Sequence, residues 1–491
     1  MKLSHLLQDC FSLTLSQDPE ITRLALDSRS VQSGDLFFAL PGTKTHGEEF
    51  IDEAISKGAI AILMDVKEKT LHWKGSIPLI AIPDLKTKVS ELAARFYDYP
   101  AKKIRTAGFT GTSGKTSCTQ FMGQALHELN QSCGIIGTLG NGLYAHLIDS
   151  QLTTPDAITV QKWLHDFVKQ GADVVAMEVS SHSLDQGRVK GIPFDVGVFT
   201  NLTRDHLDYH GTMENYGAAK KQLFTQTKRA VVNADDAFGQ DILKSLPSSL
   251  ETIIAYSIEK NYFYSHQNDC LHVYADQCRF DHAGIYAKLI TPWGEGELFS
   301  SLVGQFNLSN LLAVLATLCL LDVPFKTALN CLSKVMPAAG RMQFFHARQK
   351  PLVVVDYAHK PDALEKVLIA LRQQCQGKLY CVFGCGGERD RGKRPMMARI
   401  AEQYADQVIL TNDNPRHEDP KQIVADIMQG FTDKTRIIVQ HDRSKAIQDV
   451  IQYAKPSDYI LIAGKGAETY QIIGDEKIPF NDLVIVKEII K

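Results

Sequence analysis

The run Gly111-Thr112-Ser113-Gly114-Lys115-Thr116-Ser117 has the residue types of a phosphate-binding loop. Glycines let backbone N–H groups close around phosphate oxygens, a lysine reaches the β- and γ-phosphates, and a threonine hydroxyl can ligate Mg2+. The spacing is not a strict G-x-x-x-x-G-K-T, because Phe109 stands where the first glycine belongs and Gly108 comes one place early. A glycine turn capped by threonine is the plainer alternative. Further on, VVAMEVSSHS (174–183) is an apolar strand ending in Glu178. A carboxylate there suits a Mg2+ ligand or a water-orienting group, although a glutamate that merely caps its strand has the same pattern. FTNLTRDHLDYHG (199–211) gathers Asp205, His206, Asp208 and His210 within six residues. Imidazoles beside carboxylates can hold a metal, and a polar helix-entry loop looks the same. Lys220, in ENYGAAKKQLF, reads by itself as an ordinary helix-face lysine.

Three later motifs end apolar runs with charge. VVVDYAHKPDAL (353–364) carries Asp356 and His359, and VFGCGGERDRGKRP (382–395) carries Arg389, Arg391, Lys393 and Arg394. TNDNPRHEDP (411–420) carries Asp413, Asn414, Pro415 and Arg416. One charge run is usually a solvated face, but three at equivalent strand ends make one polar, cationic mouth. In open α/β sheets, ligands sit beyond the carboxyl ends of the strands.

The elements that position these residues alternate between strand and helix patterns, which predicts α/β architecture. Residues 1–100 read as a mixed segment with strands at LALDSR, DLFFAL and AIAILM and a helix at GEEFIDEAISKG. The turn PGTKTHG (41–47) between them is polar enough to face a ligand. YPAKK (99–103) reads as a short linker, and IRTAGFT (104–110) as the strand that enters the phosphate loop. Residues 250–303 read as a small antiparallel portion, followed by helix to about 335. After AAGRM (338–342), five strands are predicted at PLVVVDY, KLYCVFG, DQVILTN, RIIVQ and DYILIAG.

At 491 residues, about three domains are expected. Hydrophobic residues make up 44% and charged residues 22%, enough for several cores, and a net charge of -3 leaves no basic field for nucleic acid or anionic membrane. The N-terminal MKLSHLLQDC lacks the apolar run of a signal peptide. The apolar LLAVLATLCLL (311–321) falls short of the ~20 residues a bilayer requires and reads as a buried helix. The ten cysteines contain no C-x-x-C pair and are expected to be reduced and buried; Cys381 and Cys385 make a poor metal site.

The motifs, in order and spacing along nearly the whole chain, resemble the Mur ligases of bacterial cell-wall synthesis. LDSRSVQSGDLFFAL is similar to the uridine-nucleotide domain. TGTSGKT, TTPD, MEVSSHSLDQGR, FTNLTRDHLDYHG and YGAAK are similar to the central ATPase; GQFNLSN, GRM, DYAHKPD, FGCGGERDRGKRP, DNPR and GKGAE are similar to the amino-acid domain. Leu152 is one departure, standing beside Thr153 where a polar residue would suit substrate better.

The resemblance implies an α/β chain of three domains: a mixed α/β UDP-sugar-binding domain (1–100), a central P-loop parallel-sheet ATPase domain (101–338) and a C-terminal Rossmann-like amino-acid-binding domain (339–491). Its implied reaction is ATP-dependent addition of meso-2,6-diaminopimelate to UDP-N-acetylmuramoyl-L-alanyl-D-glutamate through an acyl phosphate, releasing ADP and phosphate. It implies catalytic roles for Lys115, Glu178, His206 and Lys220. Mg2+ would lie on Thr116, Glu178, His206 and Lys220 as its carbamate. ATP would meet residues 111–117 with Asn307, Arg341 and Asp356. The UDP-sugar dipeptide would meet Leu26, Ser28, Thr43, Lys44, Thr45, Thr153, Thr154, Ser180, Gln186 and Arg188. The amino acid would meet Arg389, Asp413, Asn414, Pro415, Arg416, Gly464 and Glu468. A cytoplasmic monomer with small-molecule partners only is expected, and a site spread over three domains is expected to close around its substrates. The lysine-adding branch of the family remains the close rival. A folylpolyglutamate-type ligase lacks a place for the N-terminal segment. A P-loop switch or motor would need no small-molecule acceptor, and a dead scaffold would need a damaged metal set.

Overall fold

The apolar runs bounded by Gly, Asp and Pro become buried strands, and their carboxyl ends carry the polar motifs. A computed structural model describes residues 1–11, 18–42, 46–150, 152–259, 270–281 and 283–490. Sheets dominated by parallel pairs alternate with helices throughout, which is the expected α/β class. Two compact units are distinguished, the first formed by residues 1–110, 130–197 and 219–229 and the second by 111–129, 198–218 and 230–491.

In the first unit, a five-stranded sheet has the spatial order Arg23–Ala25, Asp35–Ala39, Ala59–Asp65, Ile77–Ile82, Thr70–Lys74. Its first four strands are parallel and the edge strand is antiparallel. DLFFA is buried at every position because both faces are covered: Leu36 and Phe38 enter one core, Phe37 and Ala39 another. The same unit aligns Arg105–Thr110, Val174–Glu178 and Cys133–Gly137 in parallel, with Gly140–Leu143 returning antiparallel. YPAKK contains a short 3-10 turn, Pro100–Lys102.

In the second unit, Gln305–Leu320 is buried almost all round, as LLAVLATLCLL predicts, and packs against Lys115–Glu128. No helix among the described residues is long and apolar enough to cross a membrane. Leu271–Asp281, Gly284–Thr291 and Gly294–Ser300 form the expected antiparallel meander. Thr252–Ser257, expected to belong to that antiparallel portion, instead pairs parallel with Leu271–Asp281. The connection between them is long enough for the crossover that a parallel return requires.

All five predicted C-terminal strands are present: Leu352–Asp356, Leu379–Phe383, Gln407–Leu410, Ile437–Val439 and Tyr459–Ala463. They are parallel, with Tyr459–Ala463 between Leu352–Asp356 and Leu379–Phe383. Gln343–Phe345 adds an antiparallel edge. The hairpin Tyr470–Ile473/Glu476–Pro479, which has no apolar alternation to announce it, lies beside Arg416: the Arg416 N–H donates to Ile472 O at 3.1 Å, and the Gly474 N–H to Arg416 O at 2.8 Å.

Candidate functional site

The phosphate loop owes its shape to two glycines and a brace. Gly111 and Gly114 sit at φ +147° and +89°, and a Cβ on Gly111 would lie 1.9 Å from Thr200 Oγ1. Thr200 Oγ1 donates to Ser113 O at 2.6 Å, and Asn201 accepts the Ser113 N–H through Oδ1 at 2.9 Å. The Thr112 N–H donates to Asn201 O at 2.8 Å. Thr112 Oγ1 meets the Tyr216 hydroxyl at 3.0 Å. Lys115 opens the helix Lys115–Glu128 and folds back on the loop, with Nζ 2.7 Å from Gly111 O and 3.3 Å from Thr112 O. Arg341 Nη2 donates to Thr116 Oγ1 at 3.1 Å while its guanidinium lies 4.3 Å from the Tyr357 ring centroid. Asp356 is buried and accepts the N–H groups of Met342 and Ala358, both at 2.7 Å, so it shapes the turn carrying Arg341. Asn307 is buried and tied to Val303 O; Asn310, 3.5 Å from Asn307 Oδ1, fills the space against Gly114. Ser117 is also buried.

A second cation reaches this loop. Lys360 Nζ lies 3.2 Å from Thr112 O and 2.6 Å from Asp205 Oδ2. Burial would raise the Asp205 carboxyl, but Lys360 and then His206 outweigh it and hold it well below the usual carboxylate range. Desolvation lowers the His206 pKa against the opposing pull of Asp205, 3.0 Å away, and favours the neutral, metal-competent imidazole. His210 is buried, its ring against Tyr209 and Tyr216.

The first unit holds a separate network. Glu178 is buried at its strand end, where Oε1 accepts the Thr138 N–H at 2.7 Å and Oε2 the Thr138 hydroxyl at 3.2 Å. A Cβ at Gly137 would lie 2.4 Å from Glu178 Oε1. Thr153 Oγ1 is 3.1 Å from Thr138 Oγ1, and Thr154 Oγ1 donates to Glu178 O and Ser180 Oγ. Arg188 donates to Thr154 O at 2.8 Å and grips Gln186 Oε1 with two N–H groups. Thus Thr153, Thr154, Ser180, Gln186 and Arg188 lie in one network with Glu178. Leu152 is exposed, and its carbonyl accepts from the Ser150 hydroxyl. Lys220 is 1% exposed, which overturns its reading as a solvated helix-face lysine. Ser28 donates to Glu53, and Leu26 packs on the apolar core. Thr43, Lys44 and Thr45 lie outside the described residues.

The C-terminal strand ends assemble a third cluster. Arg416 has φ +53° and donates through Nη1 to Gly387 O at 2.7 Å and Asn414 O at 3.4 Å. A Cβ at Gly386 would sit 3.0 Å from Arg416 Nη1 and 3.8 Å from Arg389 Cγ, so the bare glycine keeps space between two arginines. Burial, then Arg389, lower the Arg416 pKa. Gly464, at φ +119°, leaves room for Asp413, whose Oδ2 a Cβ would approach to 2.8 Å. Asn414 Nδ2 donates to Glu468 Oε2 at 3.1 Å, and Pro415 is buried beside it. Glu418 engages Arg394 and Arg391, while Asp419 caps the helix Pro420–Met428.

Burial pushes the Cys385 thiol up to about 11 and Cys381 higher still, so both are protonated thiols near neutral pH. All ten cysteines are free, seven of them buried. Asn201, Thr138, Lys360 and Lys465 were not singled out from sequence. Asn201, Lys360 and Lys465 lie inside motifs that were, whereas Thr138 lies in none and meets Glu178 from 40 residues away.

Three family models match successive segments: "Mur ligase family, catalytic domain" over residues 20–97, "Mur ligase middle domain" over 109–318, and "Mur ligase, glutamate ligase domain" over 340–466. The UDP-N-acetylmuramoyl-L-alanyl-D-glutamate–2,6-diaminopimelate ligase of Coxiella burnetii is 48% identical, covering 99% of each chain. The Haemophilus influenzae (strain PittGG) enzyme of the same name is 44% identical, covering 97% of this chain and 98% of its own. A solved structure of a ligase of that name superposes with a TM-score of 0.70 at 35% identity, covering 100% of this chain and 98% of the other. MurF from Acinetobacter baumannii shares the fold, with a TM-score of 0.66 at 19% identity over 99% and 98% of the two chains.

Proposed function

The chain belongs to the Mur ligase family, and on that premise we propose that it couples ATP cleavage to amide formation between UDP-N-acetylmuramoyl-L-alanyl-D-glutamate and meso-2,6-diaminopimelate. The γ-phosphoryl group passes to the free carboxylate of the dipeptide. The acceptor amine attacks the acyl phosphate, loses a proton, and expels phosphate as the amide bond forms. The observation that carries the acceptor assignment is the pair of arginines, Arg389 and Arg416, beside Gly386, with Asp413 and Glu468 in the same cluster. A diamino dicarboxylic acid offers two carboxylates and two ammoniums to such a set.

We assign the residues as follows. The braced loop 111–117 grips the triphosphate, and Lys115 leaves its loop carbonyls for the γ-phosphoryl. Arg341, Asn307 and Asp356 complete the nucleotide site. Thr153, Thr154, Ser180, Gln186 and Arg188 hold the peptide end of the UDP-sugar, with Leu26, Ser28 and Thr43–Thr45 toward the uridine end. Arg389, Asp413, Asn414, Pro415, Arg416, Gly464 and Glu468 hold the acceptor. Residues 1–100, 101–338 and 339–491 divide these tasks. Thr116, Glu178, His206 and Lys220 suit Mg2+, which would neutralise charge between triphosphate and carboxylate. The buried Glu178 carboxylate at its strand end supports that assignment, and Lys220 is buried, as a metal-bound carbamate would be. The enzyme acts in the cytoplasm as a monomer on small molecules.

Phosphate release with the UDP-dipeptide and a panel of diamino acids tests the reading. ADP and phosphate should form only when dipeptide and diaminopimelate are both present. AMP with pyrophosphate would exclude the acyl phosphate, and equal kcat/KM for lysine would favour the lysine-adding branch.

A further inference from the structure

Lys465 has no exposed side-chain surface, yet its ammonium lies 2.7 Å from Glu468 Oε2 and 3.0 Å from Asn414 Oδ1. Asn414 closes the triangle by donating to the same Glu468 oxygen, and its own Oδ1 also accepts the Ile472 N–H at 2.9 Å. Both donors converge on Oε2, so Oε1 is the oxygen left to face an incoming ammonium. A partly exposed carboxylate held by two donors at one oxygen has a fixed orientation, which is the condition for discriminating between acceptors.

Charge gives Lys465 a second effect. With Arg389 and Arg416, Lys465 is one of three cations set against the carboxylates of Asp413, Glu468 and Glu388, the last of which also acts on Arg416. Near neutral pH, diaminopimelate carries two ammoniums and two carboxylates, whereas lysine carries one uncompensated positive charge. Each positive charge in such a cluster disfavours the cation relative to the neutral zwitterion.

We propose that Lys465 is the positioning residue of the acceptor pocket: it orients Glu468 and Asn414 and supplies positive charge that disfavours lysine. This rests on the diaminopimelate reading above. The test is steady-state kinetics on the full-length enzyme, comparing wild type with Lys465→Met, Lys465→Gln, Glu468→Gln and the Lys465→Met/Glu468→Gln double variant. In Lys465→Met, kcat/KM for diaminopimelate should fall at least ~30-fold. KM for ATP and for the UDP-dipeptide should hold, and the lysine-to-diaminopimelate ratio should rise about tenfold. Lys465→Gln keeps a donor toward Glu468, so it should recover part of the rate while keeping the altered ratio. For diaminopimelate, the double variant should lose less than the product of the two single losses, because Lys465 acts largely through Glu468. If Lys465→Met fails to fold by thermal melting, Lys465→Gln and the double variant, which removes both charges of the pair, carry the comparison. Multiplicative losses in the double variant, or a folded Lys465 variant with an unchanged acceptor profile, would overturn the proposal. Wild-type enzyme that does not use diaminopimelate would instead overturn the functional reading itself.

Discussion

Replacing Arg416 by alanine should separate acceptor recognition from nucleotide binding. Among the described residues, the Arg416 side chain bonds only through Nη1, to the carbonyls of Gly387 and Asn414, leaving Nη2 and Nε for a carboxylate. Its backbone is fixed independently by Ile472 and Gly474. Its φ of +53° costs an alanine much what it costs an arginine, so the loop should survive the change. Removing one partner of a half-buried, hydrogen-bonded charge pair costs about 2–5 kcal/mol. At 1.4 kcal/mol per factor of ten, kcat/KM for diaminopimelate should fall by about 30-fold at least, and by up to several thousand-fold. KM for ATP should change little, since Arg416 contacts neither the phosphate loop nor Arg341. Arg416→Lys keeps the charge but loses the planar fork and should recover only part of the loss. Phosphate release measured across diaminopimelate concentrations gives all three values. A fall of less than threefold in Arg416→Ala, or an equal rise in KM for ATP, would refute the placement of the acceptor carboxylate.

Lys220→Ala should be nearly inactive, with partial rescue by added acetate; full activity in Lys220→Arg would rule out a required carbamate. Gly111→Ala places a Cβ 1.9 Å from Thr200 Oγ1, whose hydroxyl braces Ser113. It should cost about 1–3 kcal/mol in thermal melts and raise KM for ATP severalfold, and wild-type ATP binding would contradict the strain argument. For acid stability, burial raises the carboxyls of Glu418 and Asp426, but hydrogen bonds, including those from fully buried Arg394, leave both below their usual values. A depressed carboxyl stabilises the fold above its unfolded pKa, about 4, and that stability is lost as pH falls through the folded value. Thermal melts of wild type should therefore drop between pH 5 and 3 more steeply than those of Arg394→Met; parallel profiles would discount the pair.

The chemistry of the individual loops was legible because it is local. Glycines before a lysine, a carboxylate ending an apolar run and an arginine after Asn-Pro each declare themselves within a few residues. The C-terminal strands were legible for a similar reason, since a strand covered on both faces must be an unbroken apolar run. The exceptions mark what locality misses. The hairpin Tyr470–Pro479 carries no alternation, and the parallel pairing of Thr252–Ser257 depends on where the chain returns. Lys220 looks like an ordinary helix-face lysine in sequence, and only packing shows that it and Lys465 are buried. Lys360 sits 155 residues from Asp205 and 248 from Thr112, yet touches both. Residue types determined which chemistry the chain can perform; tertiary structure decided which charges lose their water, because burial and ion pairing are set by contacts between residues far apart in the chain.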